Sequence, residues 1–134
     1  MSPSAGGEEH GAHTSGERVL LVDDNADVQA SAAELLRDLG YDVQTTGDAR
    51  SALDLAAAWR PRHVLIDLYM PIVNGFELAR LLRERLPERD LRLILMSGAS
   101  INAALVESAR SAGFDACVDK MAEPEEWLKA LRAG

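Results

Sequence analysis

The chain has 134 residues, enough for one domain with a core of its own. Its hydrophobic residues make up 47% but its aromatics only 4%, so that core must be built from Leu, Val, Ile and Ala. A formal net charge of −8 repels a phosphate backbone and argues against direct nucleic-acid binding; apolar runs of about five residues fall far short of the ~20 that span a bilayer; and a lone Cys117 excludes an internal disulfide, which suits the cytoplasm.

Residues 1–16 lack apolar periodicity and are rich in Gly, Ser and Ala, so the sequence predicts a disordered tail there and one domain over 17–134. His10 and His13 stand three apart in that tail, but solvated histidines explain them better than a metal does. Val19–Val22 reads as a buried strand that ends at Asp23-Asp24. Val28, Ala32, Leu35, Leu36 and Leu39 form a helical stripe, and Gly40 is placed to end it. Tyr41–Thr45 alternates as a second strand. Asp48 caps a helix lined by Ala52, Leu53, Ala56 and Ala57, and Pro61 stops it. Val64–Ile66 is a third strand, delivering Asp67.

Asn74-Gly75 opens a third helix, with Leu78, Leu81, Leu82 and Leu86 on one face and Pro87 closing it. Its charges at Arg83, Glu84 and Arg85 read as a solvated face with local ion pairs. Leu91–Met96 is a fourth strand, ending at Ser97-Gly98. Ser100 is expected to cap a fourth helix carrying Ile101, Leu105, Ala109 and Ala112, which Gly113 ends. Phe114–Val118 is a short fifth strand before Asp119-Lys120. Pro124 starts a last helix lined by Trp127, Leu128 and Leu131. Strands alternating with helices of roughly 11–14 residues argue for βαβ units and a parallel sheet, so the fold class is a doubly wound α/β domain, (βα)5.

In such a sheet, ligands bind beyond the carboxyl ends of the strands. There the first strand brings Asp23 and Asp24, the third Asp67, the fourth Ser97 and the fifth Lys120. Crowded carboxylates raise one another's proton affinity, and a hard divalent cation relieves them. With no His or Cys beside the acids, Mg2+ suits the cluster and zinc or iron does not. A carboxylate, a cation, an ammonium group and a hydroxyl together suit phosphoryl transfer. No GxxxxGK[ST] or GxGxxG cradle occurs, so the phosphoryl group must come from a partner. His63, alone at the start of the third strand, makes no Ser/His/Asp triad.

Asp23-Asp24, Asp67 with Met70-Pro71 and Asn74-Gly75, Ser97-Gly98-Ala99 and Lys120, in this order, resemble the receiver domain of two-component response regulators over about residues 17–134. The resemblance implies a flavodoxin-like sheet of strand order 2-1-3-4-5. It implies that Asp67 accepts a phosphoryl group, that Asp24 and the Tyr69 carbonyl bind Mg2+ with Asp67, and that Asp23 contributes through water. Lys120 would bind the phosphoryl group, and Ser97 would be the switch hydroxyl. The donor would be a histidine kinase or histidine phosphotransfer protein. Output would pass to a protein target, or a homodimer, through the face of the fourth helix, fifth strand and fifth helix. The resemblance suggests a stand-alone domain, active only in its own phosphorylation and slow dephosphorylation.

Three departures from that family stand out. Cys117 occupies the usual Tyr or Phe switch position. Met121 follows Lys120 where proline, with a cis bond, is usual, so a trans bond is expected. Tyr69 and Ala99 occupy positions that tune phosphoryl hydrolysis in the family. The competing readings are a phosphorylation-independent receiver-like scaffold and a haloacid-dehalogenase-type hydrolase; the latter needs an acid two residues after its nucleophile, where Tyr69 stands.

Overall fold

A computed structural model describes residues 16–132, so most of the expected tail, with His10 and His13, lies outside the described residues. Among the described residues, ten elements alternate: β1 (Arg18–Val22), α1 (Ala26–Asp38), β2 (Asp42–Thr46), α2 (Ala49–Trp59), β3 (His63–Asp67), α3 (Gly75–Arg85), β4 (Arg92–Ser97), α4 (Ala103–Ala112), β5 (Ala116–Asp119) and α5 (Pro124–Arg132). The strands form one parallel sheet in the order β2-β1-β3-β4-β5, as the sequence leads one to expect.

Alternation along each strand divides the core into two layers. Leu20, Val22, Val64, Ile66, Leu93 and Leu95 face α2, α3 and α4. Val19, Leu21, Leu65, Ile94, Met96 and Val118 face α1 and α5. With both faces covered, the central strands carry unbroken apolar runs, and all five residues of β3 are buried. Each buried Leu, Ile or Val contributes roughly 1.5–3 kcal/mol. That burial holds β3 stiff and fixes where Asp67 sits.

Asn25, Asp48 and Asn74 cap α1, α2 and α3 through side-chain oxygens, and Asn74 forms a reciprocal capping box with Glu77. The expected cap at Ser100 is corrected: Asn102 caps α4, accepting from the Leu105 amide at 2.8 Å. Asn caps as well as Ser does, and here it lies in extended conformation one residue before the helix. Ser100 and Ile101 therefore remain in the loop.

Two expected strand starts also move. The Tyr41 amide bonds to the Leu36 carbonyl, and the Phe114 amide to that of Ala109. Gly40 and Gly113, both at positive φ, bond one turn inside them, to Arg37 and Arg110. These are paired helix-ending bonds, in which the apolar residue after glycine folds back on the helix. Tyr41 and Phe114 therefore close α1 and α4, and β2 and β5 begin after them.

Of the charges expected on a solvated face of α3, Glu84 and Arg85 are exposed, but Arg83 departs from the expectation. Its guanidinium reaches the carbonyls of Leu91 (2.7 Å) and Gly113 (3.0 and 2.8 Å) and the Asp115 carboxylate (2.8 Å). Asp115 also accepts from the Leu93 amide. The five-donor fork thus ties α3 to the segments entering β4 and β5.

At the sheet edge remote from Asp67, His63 is 2% exposed and its Nε2 lies 2.9 Å from Glu17 Oε1. The nitrogen facing the carboxylate donates, and Nδ1 has no partner. Burial pushes the His63 pKa below its ordinary 6.5, outweighing the pull of Glu17. An unfolded chain then takes up a proton that the folded one refuses, so stability is full above that ordinary value and falls as pH drops through it. Urea midpoints of the wild type are expected to fall between about pH 7 and 5.5, and His63→Gln to flatten that slope. An unchanged slope in the variant counts against this assignment.

Candidate functional site

The site lies at the carboxyl ends of β1, β3 and β5, and Asp23 and Asp67 flank the point where strand order reverses. Asp23, just after β1, is fully buried. Its amide donates to the Thr46 carbonyl, and its Oδ1 accepts from the Asn25 amide at 2.9 Å. The residue that caps α1 therefore also orients the first acid. Asp24 is exposed. Asp67 ends β3 between two hydrogen-bonded neighbours, β1 and β4. One carboxylate oxygen from each of Asp23, Asp24 and Asp67 lies within 4.8 Å of the others.

Lys120 bridges two of these acids. Its Nζ stands 2.8 Å from Asp23 Oδ2 and 2.9 Å from Asp67 Oδ1. Its amide donates to the Ser97 carbonyl at 3.0 Å, which binds the β5–α5 loop to the end of β4. Desolvation alone would lower the pKa of Lys120, but its bonds to Asp23 and Asp67 prevail and push it up. The Asp67 pKa is also raised: burial dominates, Asp23 and Asp24 add to it, and Lys120 opposes it. The ammonium group pairs with two of the three carboxylates, so the ionised cluster is left with a surplus of negative charge. An all-oxygen donor set with surplus charge and one open, exposed member fits Mg2+, which keeps several waters and uses few protein ligands.

The remaining predicted residues are placed unevenly. Ser97 is buried at the same edge, but its Oγ is engaged with its own loop, with the Ala99 amide at 3.1 Å and the Ala99 carbonyl at 3.3 Å. Tyr69 lies in the β3–α3 loop with 72% of its surface exposed. Cys117 pairs in register with Leu95, one strand over, and burial raises its thiol pKa. It is half-buried between two grooves of about 630 and 310 Å3 on the α4–β5–α5 face, both reached by Ile101. The Lys120–Met121 peptide is trans, as expected.

Two features at the site went unread in the sequence. The Asn-Gly pair does more than turn: Gly75 presses on the backbone of Asp67 and Leu68, and its amide donates to the Leu68 carbonyl at 2.9 Å. In the same loop the Val73 amide bonds to the Pro71 carbonyl at 2.8 Å around Ile72, whose φ is 73°. That is the rare positive-φ γ-turn, strained for a β-branched residue, and it leaves Ile72 99% exposed.

Fold and site define a class: a doubly wound α/β domain with an acidic cluster and a bridging lysine at the carboxyl edge of its sheet. The sequence profile of the response regulator receiver domain matches residues 19–132. The response regulator MprA of Mycolicibacterium vanbaalenii is 38% identical over 120 residues, covering 87% of this chain and 49% of that protein. The DNA-binding response regulator MtrA of Mycobacterium tuberculosis is 30% identical over 117 residues, covering 87% and 50%. The chemotaxis protein CheY4 of Vibrio cholerae superposes with a TM-score of 0.79 at 26% identity, covering 87% of this chain and 97% of that one. The chain belongs to the receiver domain family of response regulators. It spans about half the length of the curated relatives it matches. Among the described residues, no helix is long and apolar enough to cross a membrane.

Proposed function

We propose that this domain accepts a phosphoryl group on Asp67 from a phosphohistidine of a histidine kinase or phosphotransfer protein, and that the transfer switches a docking surface in the cytoplasm. The observation that carries this reading is the placement of Lys120 Nζ between Asp23 and Asp67. Its charge lies beside the oxygen that would attack, within reach of a phosphoryl group bound there. In the transfer, an Asp67 oxygen bonds to phosphorus, the bond from phosphorus to the donor imidazole nitrogen breaks, and that nitrogen keeps the electron pair. Asp23, Asp24, Asp67 and the Tyr69 carbonyl would hold Mg2+, which when bound would neutralise charge on the phosphoryl oxygens.

Lys120 stabilises the same charge from the protein side. The Ser97 hydroxyl would exchange its loop contacts for a phosphoryl oxygen. Its partners at Ala99 are local and weakly placed, so the exchange is inexpensive. Among the described residues, the exposed large hydrophobics are Tyr69, Ile72 and Met121, all in loops beside Asp67, where an approaching protein donor would cover them. Output through α4, β5 and α5 is supported by the grooves on that face and by the slight burial of α4, whose buried residues are Ala109 and Ala112. A homodimer could use the same face.

The test is incubation with Mg2+ and acetyl phosphate, read as a mass increase confined to the Asp67 peptide. Mg2+ with beryllofluoride, a mimic of the bound phosphoryl group, should change the fluorescence of Trp59 or Trp127. No mass gain and no response would reject the reading in favour of a scaffold.

The phosphoryl form is expected to be long-lived. Ala99 is exposed and offers no group to orient an attacking water, while Tyr69, two residues after Asp67, offers bulk rather than a base there. In Tyr69→Asn/Ala99→Glu, phosphate release should be about tenfold faster or more, since a placed carboxylate can orient water. Equal release from both proteins refutes this.

A further inference from the structure

The loop that carries Lys120 is held by three backbone amides. Lys120 N donates to the Ser97 carbonyl (3.0 Å), Met121 N to Asp119 Oδ1 (2.8 Å) and Ala122 N to the Asp119 carbonyl (3.0 Å). Two of the three acceptors belong to Asp119. Its carboxylate reaches the amide two residues on, closing a ring around Lys120. A proline after the lysine would fix the backbone through its ring and would offer no amide. Met121 has that amide, and Asp119 takes it. The Met121 side chain is 85% exposed, so its packing does not hold the loop.

Lys120 has a long side chain, and its ammonium meets Asp23 and Asp67 only if its backbone starts from the right place. Asp119 is the last residue of β5, paired in register with Ser97, so it is itself fixed by the sheet. Sheet, Asp119, the Met121 amide and Lys120 thus form one continuous chain of restraint.

We propose that Asp119 is a positioning residue for Lys120, its carboxylate constraining the backbone where a proline ring would otherwise do so. The role rests on the reading of Lys120 as a phosphoryl-binding group. What it requires of Asp119 is a hydrogen-bond acceptor and not a charge. That separates it from a general electrostatic effect, because Asn can accept from Met121 as Asp does.

The experiment compares wild type, Asp119→Ala and Asp119→Asn. Three readouts are taken: beryllofluoride affinity in saturating Mg2+, Mg2+ affinity alone, and hydrogen exchange of the Met121 amide. In Asp119→Ala, beryllofluoride should bind about tenfold more weakly, as expected when a charged group is slightly misplaced. Mg2+ affinity should hold, since Asp23, Asp24 and Asp67 are untouched. The Met121 amide should exchange faster. Asp119→Asn should restore all three readings to near wild type.

Wild-type beryllofluoride affinity in Asp119→Ala overturns the proposal. So does an Asn variant as weak as the Ala variant, or a joint loss of Mg2+ and beryllofluoride binding together with a lower thermal midpoint. If the wild type itself binds no beryllofluoride, the phosphoacceptor reading falls and this role falls with it. That outcome is distinguishable, because in the others the wild type binds and only the variants decide.

Discussion

Asp67→Asn is expected to gain no phosphoryl mass from acetyl phosphate and Mg2+ under conditions that convert the wild type, and to melt at a higher temperature when Mg2+ is absent. Both effects come from the same carboxylate. An amide is not a useful nucleophile toward phosphorus, and the other acids are poorly suited to replace it. Asp23 is fully buried with both oxygens engaged, and Asp24 is the exposed member of the cluster. A residual mass gain located on either of them would overturn the assignment of Asp67.

The stability half follows from the raised pKa of Asp67. A carboxyl whose folded pKa lies above its ordinary 3.8 adds stability only at low pH, and that stability is lost as pH rises through the folded value. At neutral pH the ionised Asp67 works against folding, and Lys120 offsets only part of the cost. Asn removes the charge, keeps the shape and leaves Lys120 paired with Asp23. The gain should be on the order of 1 kcal/mol, a few degrees in Tm. Mg2+ should reverse the order, because a ligand at about 100 times its Kd stabilises by ~2.7 kcal/mol and the variant has lost a carboxylate that binds it. Thermal melts with and without Mg2+ read both signs. A variant less stable than wild type in the absence of Mg2+ contradicts the electrostatic account.

What could be read in the chain beforehand depended on whether a signal was local. β1, β3 and β4 announced themselves as apolar runs ending in Asp23, Asp67 and Ser97, so the sheet, its parallel sense and the edge where chemistry gathers were legible. Lys120 was legible as a partner of those acids only through its place in that order. Arg83 was misread because its guanidinium crosses to segments 30 residues away, and no helical period encodes that reach. Tyr41 and Phe114 were misread because an apolar residue after glycine fits a strand start and a helix end equally well. Asp119 was passed over because its task is to hold one amide, a role with no compositional mark. Ser100 lost to Asn102 because two good caps two residues apart cannot be ranked from residue type alone.

Gly75→Ala should be the most damaging single methyl near the site. A Cβ on Gly75 would lie 2.5 Å from the Asp67 carbonyl oxygen, 3.1 Å from the Leu68 Cα and 3.2 Å from the Asp67 carbonyl carbon. All three are backbone atoms, so no side-chain rotation relieves the overlap. Either the end of β3 or the start of α3 must move. β3 is bonded on both sides, and α3 is held by its capping box and by buried Leu78, Ala79 and Leu82, so neither yields cheaply. Overpacking of this kind costs about 1–3 kcal/mol, and backbone contact should place the loss at the upper end. The displacement falls on Asp67 itself, so acetyl phosphate labelling should slow by about tenfold or more even in the folded fraction. Gly98→Ala is the matched control: it too adjoins a site residue, Ser97, yet nothing lies within 4 Å of its added Cβ. Urea midpoints and labelling rates near wild type are expected for it. If Gly75→Ala matches that control in both measurements, the close approach of α3 to the acceptor strand is not what sets the position of Asp67.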